Sequence, residues 1–252
     1  MENEVVEVLL KQSLPENIID EKDRAPMVLV PAGEFLMGSD KLDWNVKKNE
    51  RPHRLIHLDG FYINKYPVTN RQYVKFVNAT KHRKPRFWRD PQVNGPDQPV
   101  IGVTWTDARS YSEWAGKRLC TEAEWEKAAR GTDGRLYPWG NVWDPAKLIW
   151  RKNSHGRPHP VRRSDLTHRS PYNVVDMVGN VMEWCQDFYS LDYYPNAPER
   201  NPKGPEGGSW RVLRGGDCSM EDPNQFRVAN RESALADSKV TLVGFRCTKS
   251  VP

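Results

Sequence analysis

The side chain with the most obvious capacity for chemistry is Cys218, set in RVLRGGDCSMEDPNQFRVANR directly after a double glycine and beside Asp217. A thiol there is a candidate nucleophile or metal ligand. The adjacent carboxylate works against that role, because it raises the thiol pKa and a protonated thiol attacks poorly. Met220 is its only soft neighbour. Cys120, Cys185 and Cys247 lie far apart and form neither CxxC pairs nor zinc-type spacings with histidine. Two disulfides are arithmetically possible, but the expectation is four reduced, mostly buried thiols. His53 and His57 fall on one face of an extended segment with no third ligand in view, so a structural role is expected for them.

Charge is distributed unevenly within a net +5. Between Lys147 and Arg169 there are seven Lys or Arg and three His against a single Asp165. Such a run attracts anions, whether an acidic protein face, phosphate or lipid headgroups, although a solvated loop is the simpler reading. Nucleic acid is not expected as a partner, since no recognisable binding module accompanies the patch.

The elements that must position these residues can be read along the chain. Residues 1–25 suggest a short amphipathic helix (Val5, Val6, Leu9, Leu10) and a polar linker, an arm outside the domain formed by 26–252. MVLVPAGEFLMGS and HRLIHLDGFYIN alternate as strands and turns. Three helices follow. Thr69 caps the first, the second ends at Gly116, and Thr121 with Glu124 forms a capping box on the third. Residues 140–208 are rich in Pro, Gly, Asn and basic side chains, so ordered loops there need bound metal or aromatic plugs to hold them. Ten tryptophans and nine tyrosines promise an aromatic core. No run of eighteen apolar residues spans a membrane, and the acidic start is unlike a secretion signal. As written, the chain is expected in the cytoplasm, or in the periplasm or outside the cell if it is a processed form.

Taken together, LVPAGEFLMGS, FYINKYPVTNRQYVKFV, PVIGVTWTDARSYSEWAGKRLCTEAEWEKAARG, YPWGN, DMVGNVMEW, GGSWRVLRGG, FRVANR and GFRC resemble, in order, the blocks of the formylglycine-generating enzyme (sulfatase-modifying factor) superfamily. The resemblance implies an α+β, C-type-lectin-like single domain, low in regular structure. Catalytic members of that superfamily carry a copper-binding cysteine pair shortly after a Gly-Gly-Ser-aromatic stretch, two soft ligands being what copper(I) requires. Here Asp217 and Cys218 replace the serine and the aromatic, and neither cysteine of the pair is present. Copper is therefore not expected. Leu242 replaces an asparagine before GFRC, and Ser112 replaces the helix cysteine that pairs with the terminal one, Cys247. Iron-dependent relatives take histidines from an extra helical domain that this chain has no room for.

The resemblance also implies a structural calcium in DMVGNVMEW, with Asp176 and Glu183 giving carboxylates and Gly179 and Val181 giving carbonyls. A second family calcium site is not expected, because Leu148 stands where an asparagine belongs. The family cleft would lie around Trp184, Trp210, Asp217, Cys218 and Arg227. The leading expectation is a non-catalytic binding or scaffold module that holds a protein or peptide partner, an acidic one being suited to the basic run. The competing expectation is a metal-dependent oxidoreductase of divergent chemistry using Cys218 with Asp217. A third is a variable-loop receptor on the same fold, as in retroelement-diversified proteins.

Overall fold

The computed structural model describes residues 14–40, 46–161 and 169–251. Five short strands come first: β1 (Asn17–Ile19), β2 (Pro26–Val30), β3 (Gly33–Met37), β4 (Arg54–Leu58) and β5 (Phe61–Asn64). Helices α1 (Asn70–Thr80) and α2 (Trp105–Trp114), strand β6 (Arg118–Leu119) and helix α3 (Glu122–Arg130) follow. After a single turn of helix, α4 (Arg151–Ser154), the chain finishes with β7 (Met182–Phe188), β8 (Trp210–Arg214), β9 (Arg231–Leu235), β10 (Val243–Phe245) and β11 (Cys247–Ser250). The strands pair as a five-stranded sheet β1-β2-β5-β11-β6, a four-stranded sheet β10-β7-β8-β9 and the hairpin β3-β4.

Local chemistry fixes the three longer helices. Thr69, Thr104 and Thr121 each accept a hydrogen bond from the backbone N–H of the third helical residue, and the side-chain oxygens of Gln72, Asp107 and Glu124 accept one from the cap residue's N–H. Each such cap contributes about 1 kcal/mol. Gly116, expected to stop α2, takes φ +70°, where a side chain would be strained. Tyr73, Phe76 and Tyr111 then pack with Phe245 as an aromatic cluster, Tyr73 stacking on Tyr111 at 5.8 Å and Phe245 meeting Tyr111 edge-on at 5.3 Å. A second apolar cluster surrounds Trp125, Phe35, Ile56 and Phe226. Leu148 lies buried in it.

The N-terminal expectation needs one correction. The helix read at Val5–Leu10 lies outside the described residues, but the polar linker does not run to residue 25. Asn17–Ile19 pair antiparallel with β2, and Asp23 is buried with Lys117 at 2.8 Å and the Tyr111 hydroxyl at 2.7 Å. A buried acid cannot stay solvated as a linker; its cation draws the segment into the domain. All four cysteines are free and buried. Ser112 Oγ lies 3.2 Å from Cys247 Sγ, so the serine occupies the place from which a helix cysteine would bridge. No described helix is long and apolar enough to cross a membrane.

Candidate functional site

β8 delivers the chain into Gly215 (φ +100°) and Gly216 (φ +67°). A Cβ on Gly215 would stand 2.8 Å from the Met177 carbonyl oxygen, so only glycine makes this turn. The turn carries Asp217 and Cys218 inward. The Cys218 N–H donates to the Asn180 carbonyl at 3.1 Å, and Ser154 Oγ donates to the Cys218 carbonyl at 3.1 Å. Asp217 Oδ1 accepts from the backbone N–H and hydroxyl of Ser219 at 2.8 and 2.6 Å. Cys218 is 0% exposed. Burial, with Asp217 beside it, pushes its thiol up to about 12, so near neutral pH it is a protonated, enclosed side chain. Burial raises the Asp217 carboxyl as well.

Aromatic rings brace the rest of this loop. Asp222 caps a turn over Pro223–Phe226, and Phe226 stacks on Trp143 at 5.8 Å. Trp143 meets Trp150 edge-on at 5.4 Å, while Tyr137 stacks on Trp139 at the same separation. Aromatic plugs, one of the two devices the loop-rich composition calls for, are therefore present here. Each such pair adds about 0.5–1.5 kcal/mol beyond its buried area.

The other residues assigned to the family cleft are held as follows. Trp184 is in the core, its indole N–H donating to the Val103 carbonyl at 3.1 Å. Arg227 is clamped by both oxygens of Glu50 at 2.6 and 2.8 Å. Trp210 is 49% exposed and starts β8, at the end opposite Gly215. A strand of this length carries its two ends roughly 13 Å apart, which separates Trp210 from the cysteine loop.

In the acidic segment, Asp176 takes φ +54° and Gly179 φ +77°. Asn180 Nδ2 donates to Asp176 Oδ2 at 3.2 Å and to the His159 carbonyl at 3.1 Å. Glu183 accepts from Trp125 Nε1 at 2.8 Å and from the Arg246 guanidinium at 2.7 and 2.8 Å. Arg246 also holds the carbonyls of Val175 and Asp176 at 2.9 and 3.1 Å. In donor chemistry this all-oxygen set fits calcium. Three donors on Glu183 leave about one of its four lone-pair positions, so Asp176 and the Gly179 and Val181 carbonyls would have to supply most of the shell. Among the described residues no three His, Cys, Asp or Glu side chains form a metal-holding group.

Two open cavities lie at the other end of β7 and β8. One of about 380 Å³ is lined by Trp105, Leu119, Gln186, Phe188, Lys203 and Arg211 among others, and a neighbour of about 460 Å³ shares Arg118, Gln186 and Lys203 with it. Sequence reasoning passed over these residues. The available signal was an arginine directly after a tryptophan on an alternating strand, which Trp88–Arg89 and Trp150–Arg151 repeat elsewhere in the chain.

A family model described as the sulfatase-modifying factor enzyme 1-like domain matches residues 14–251. The formylglycine-generating enzyme of Thermomonospora curvata is 34% identical, the match covering 88% of this chain and 92% of that protein. The structure of PvdO from Pseudomonas aeruginosa superposes with a TM-score of 0.82 at 27% identity, over 95% of this chain and 100% of that one. Treponema denticola variable protein 1 has a TM-score of 0.74 at 21% identity, over 93% and 99%, a likeness of fold alone.

Proposed function

The chain belongs to the sulfatase-modifying factor (formylglycine-generating enzyme) family, and from that premise we propose that it is a binding or scaffold module of the family, without the oxidase chemistry. The supporting observation is Cys218: enclosed, protonated near neutral pH, and without a second thiol on its loop. Copper(I) needs two soft ligands in near-linear array. Met220 offers only a neutral thioether and the Cys218 thiol stays protonated beside Asp217, so the loop lacks the paired thiolates that would hold the ion. No oxidation step is assigned to it. The alternative, a divergent oxidoreductase using Cys218, requires a thiolate that burial and Asp217 both disfavour. The partner best suited to this reading is a protein or peptide with acidic character.

The decisive assay incubates the protein with a cysteine-containing peptide, copper and oxygen, and follows formylglycine by mass spectrometry. We expect none above the protein-free control; accumulation in proportion to protein concentration would overturn the reading. Calcium belongs to the same proposal as a structural ion held by Asp176, Gly179 and Val181 with Glu183 shared. When bound, it would neutralise Asp176 and fix the turn that carries Asn180. Added calcium should raise the melting temperature, a chelator should reverse the rise, and Asp176→Asn should abolish it; an unchanged melting curve would remove calcium from the account.

A further inference from the structure

Arg211 is the one guanidinium on β8 that meets no carboxylate. Its guanidinium carbon lies 3.7 Å from the Trp105 ring centroid and 3.4 Å from that of Phe188, a two-sided aromatic sandwich. Nη1 donates to the Gln186 carbonyl at 2.7 Å, which fixes the plane in rotation. The buried arginines Arg214, Arg227, Arg231 and Arg246 each make an ion pair with glutamate. The neighbouring cations of the cavity are also spoken for, Arg118 by Glu124 at 2.6 Å and Arg109 by Glu113 at 2.7 Å. Buried Arg211 Nε and Gln186 Oε1 have no hydrogen-bond partner, and both residues line the 380 Å³ cavity.

We propose that this cavity binds an organic carboxylate, Arg211 taking the carboxylate and the wall of Trp105, Phe188 and Leu119 taking an apolar body. The aromatic slot removes the rotamer freedom an arginine normally loses on binding, so the guanidinium is already in place for a planar anion. Its surroundings select the charge. One unpaired guanidinium and an exposed Lys203 face Glu113 and Glu206 on the rim, which suits a monoanion and disfavours a phosphate dianion. The cavity volume lies within the range of small-ligand sites. Burial lowers the Arg211 pKa, and a carboxylate would relieve that penalty. The inference rests on the binding-module reading, but it concerns the end of β8 opposite Cys218, so the formylglycine assay and the titration below fail independently.

The test titrates the full chain with three carboxylate probes: 3-phenylpropionate, a blocked peptide whose acid is a glutamate side chain beside phenylalanine, and a peptide with a free C-terminal phenylalanine. Neutral 3-phenylpropionamide is the control. The readouts are affinity and the Arg211 Nε–H resonance in nitrogen-15 spectra. At least one acid should bind at millimolar concentration or below and shift that resonance, and the amide should bind about tenfold more weakly or worse, since a charge-assisted pair is lost. Which acid binds identifies a free ligand, a side chain or a chain terminus as the source. Arg211→Met should weaken binding by about tenfold while Arg71→Met, remote from the cavity, leaves it unchanged. If Arg211→Met does not fold, the Arg211 resonance of the native protein decides. No shift with any acid, equal binding of the amide, or undiminished binding by a folded Arg211→Met would overturn the proposal.

Discussion

Arg211 and Arg214 stand three residues apart on β8 and occupy opposite worlds. An odd separation puts them on opposite faces of the strand. Arg214, wholly buried, bonds Glu122 at 3.3 Å and Glu126, together with the carbonyls of Val228 and Ala229 at 2.8 and 3.2 Å. Arg231 joins from β9, reaching both oxygens of Glu122 at 2.7 and 2.8 Å. On the other face Arg211 has two rings and one carbonyl. A buried cation matched to carboxylates locks elements together; one matched only to aromatic faces holds its charge in place and leaves it available to something from outside.

The comparison is broken most forcefully on the locked side. Arg214→Met leaves Glu126 with Arg130 at 3.1 Å and Glu122 with Arg231 at 2.7 Å as their remaining cations, and should cost about 3 kcal/mol, the lower end for a broken buried pair because each acid keeps one partner. For a chain of this size that is a fall of roughly 10 °C in melting temperature. Arg211→Met strands no acid and forfeits mainly cation–π contacts, about 1 kcal/mol. Urea denaturation of the two variants side by side measures both. Equal losses would mean that Arg211 is as much a part of the fold as Arg214.

A second variant sharpens the comparison from the cavity side. Ser112 lines the same cavity as Arg211 and touches Cys247 at 3.2 Å. Ser112→Cys should form a disulfide with Cys247 on mild oxidation. The oxidised protein should gain about 2–4 kcal/mol, measured as the difference in urea midpoint with and without reductant. The staple lies beneath the cavity floor, so carboxylate binding should survive it. A variant that keeps all its thiols under oxidant would show that helix α2 and β11 do not present these two positions to each other.

What the sequence made legible follows the range of the forces involved. Thr69, Thr121 and Gly116 announced their roles because a cap is satisfied within a few residues. The ordered blocks placed the Gly215–Gly216 turn, and the loss of the cysteine pair from it, because those are statements about residue identity. Arg211 and Arg214 look alike in SWRVLRGG, and what separates them is Glu122, 92 residues away in sequence. The same distance hid the fate of Trp210 and Arg227. The first is at the open end of its strand and the second is committed to Glu50, 177 residues off. Glu183 read as a calcium ligand from its block, while its pairing with Arg246 could be seen only once β7 and β10 lay side by side.

The gentlest probe lies between the two faces, at Asp187. It is fully enclosed, with the loop over it so close that a Cβ on Gly204 would stand 2.7 Å from its own. Its Oδ2 accepts from the Glu122 N–H at 2.8 Å, which places one acid at the start of α3 beside another. The two part company by environment. For Glu122 burial acts upward, but Arg231 and Arg214 outweigh it and hold the carboxyl below its ordinary range. Asp187 makes no ion pair with them, and burial, reinforced by the charge on Glu122, outweighs the pull of Arg231 and pushes it well above. A carboxyl raised in the folded state binds its proton more tightly there than in the unfolded chain, so its contribution is complete below the ordinary aspartate range and drains away as pH rises through the folded value. Asp187→Asn keeps the acceptor for Glu122 N–H and removes that dependence. The variant should match the native protein near pH 4 and exceed it by ~1 kcal/mol at neutral pH, the modest size reflecting the extra amide N–H that the pocket must then accommodate. Chemical denaturation across that interval measures the gap. A variant less stable than the native protein at neutral pH would mean that Asp187 is ionised in the fold, and that Arg211, whose charge it then offsets from behind, already has its carboxylate.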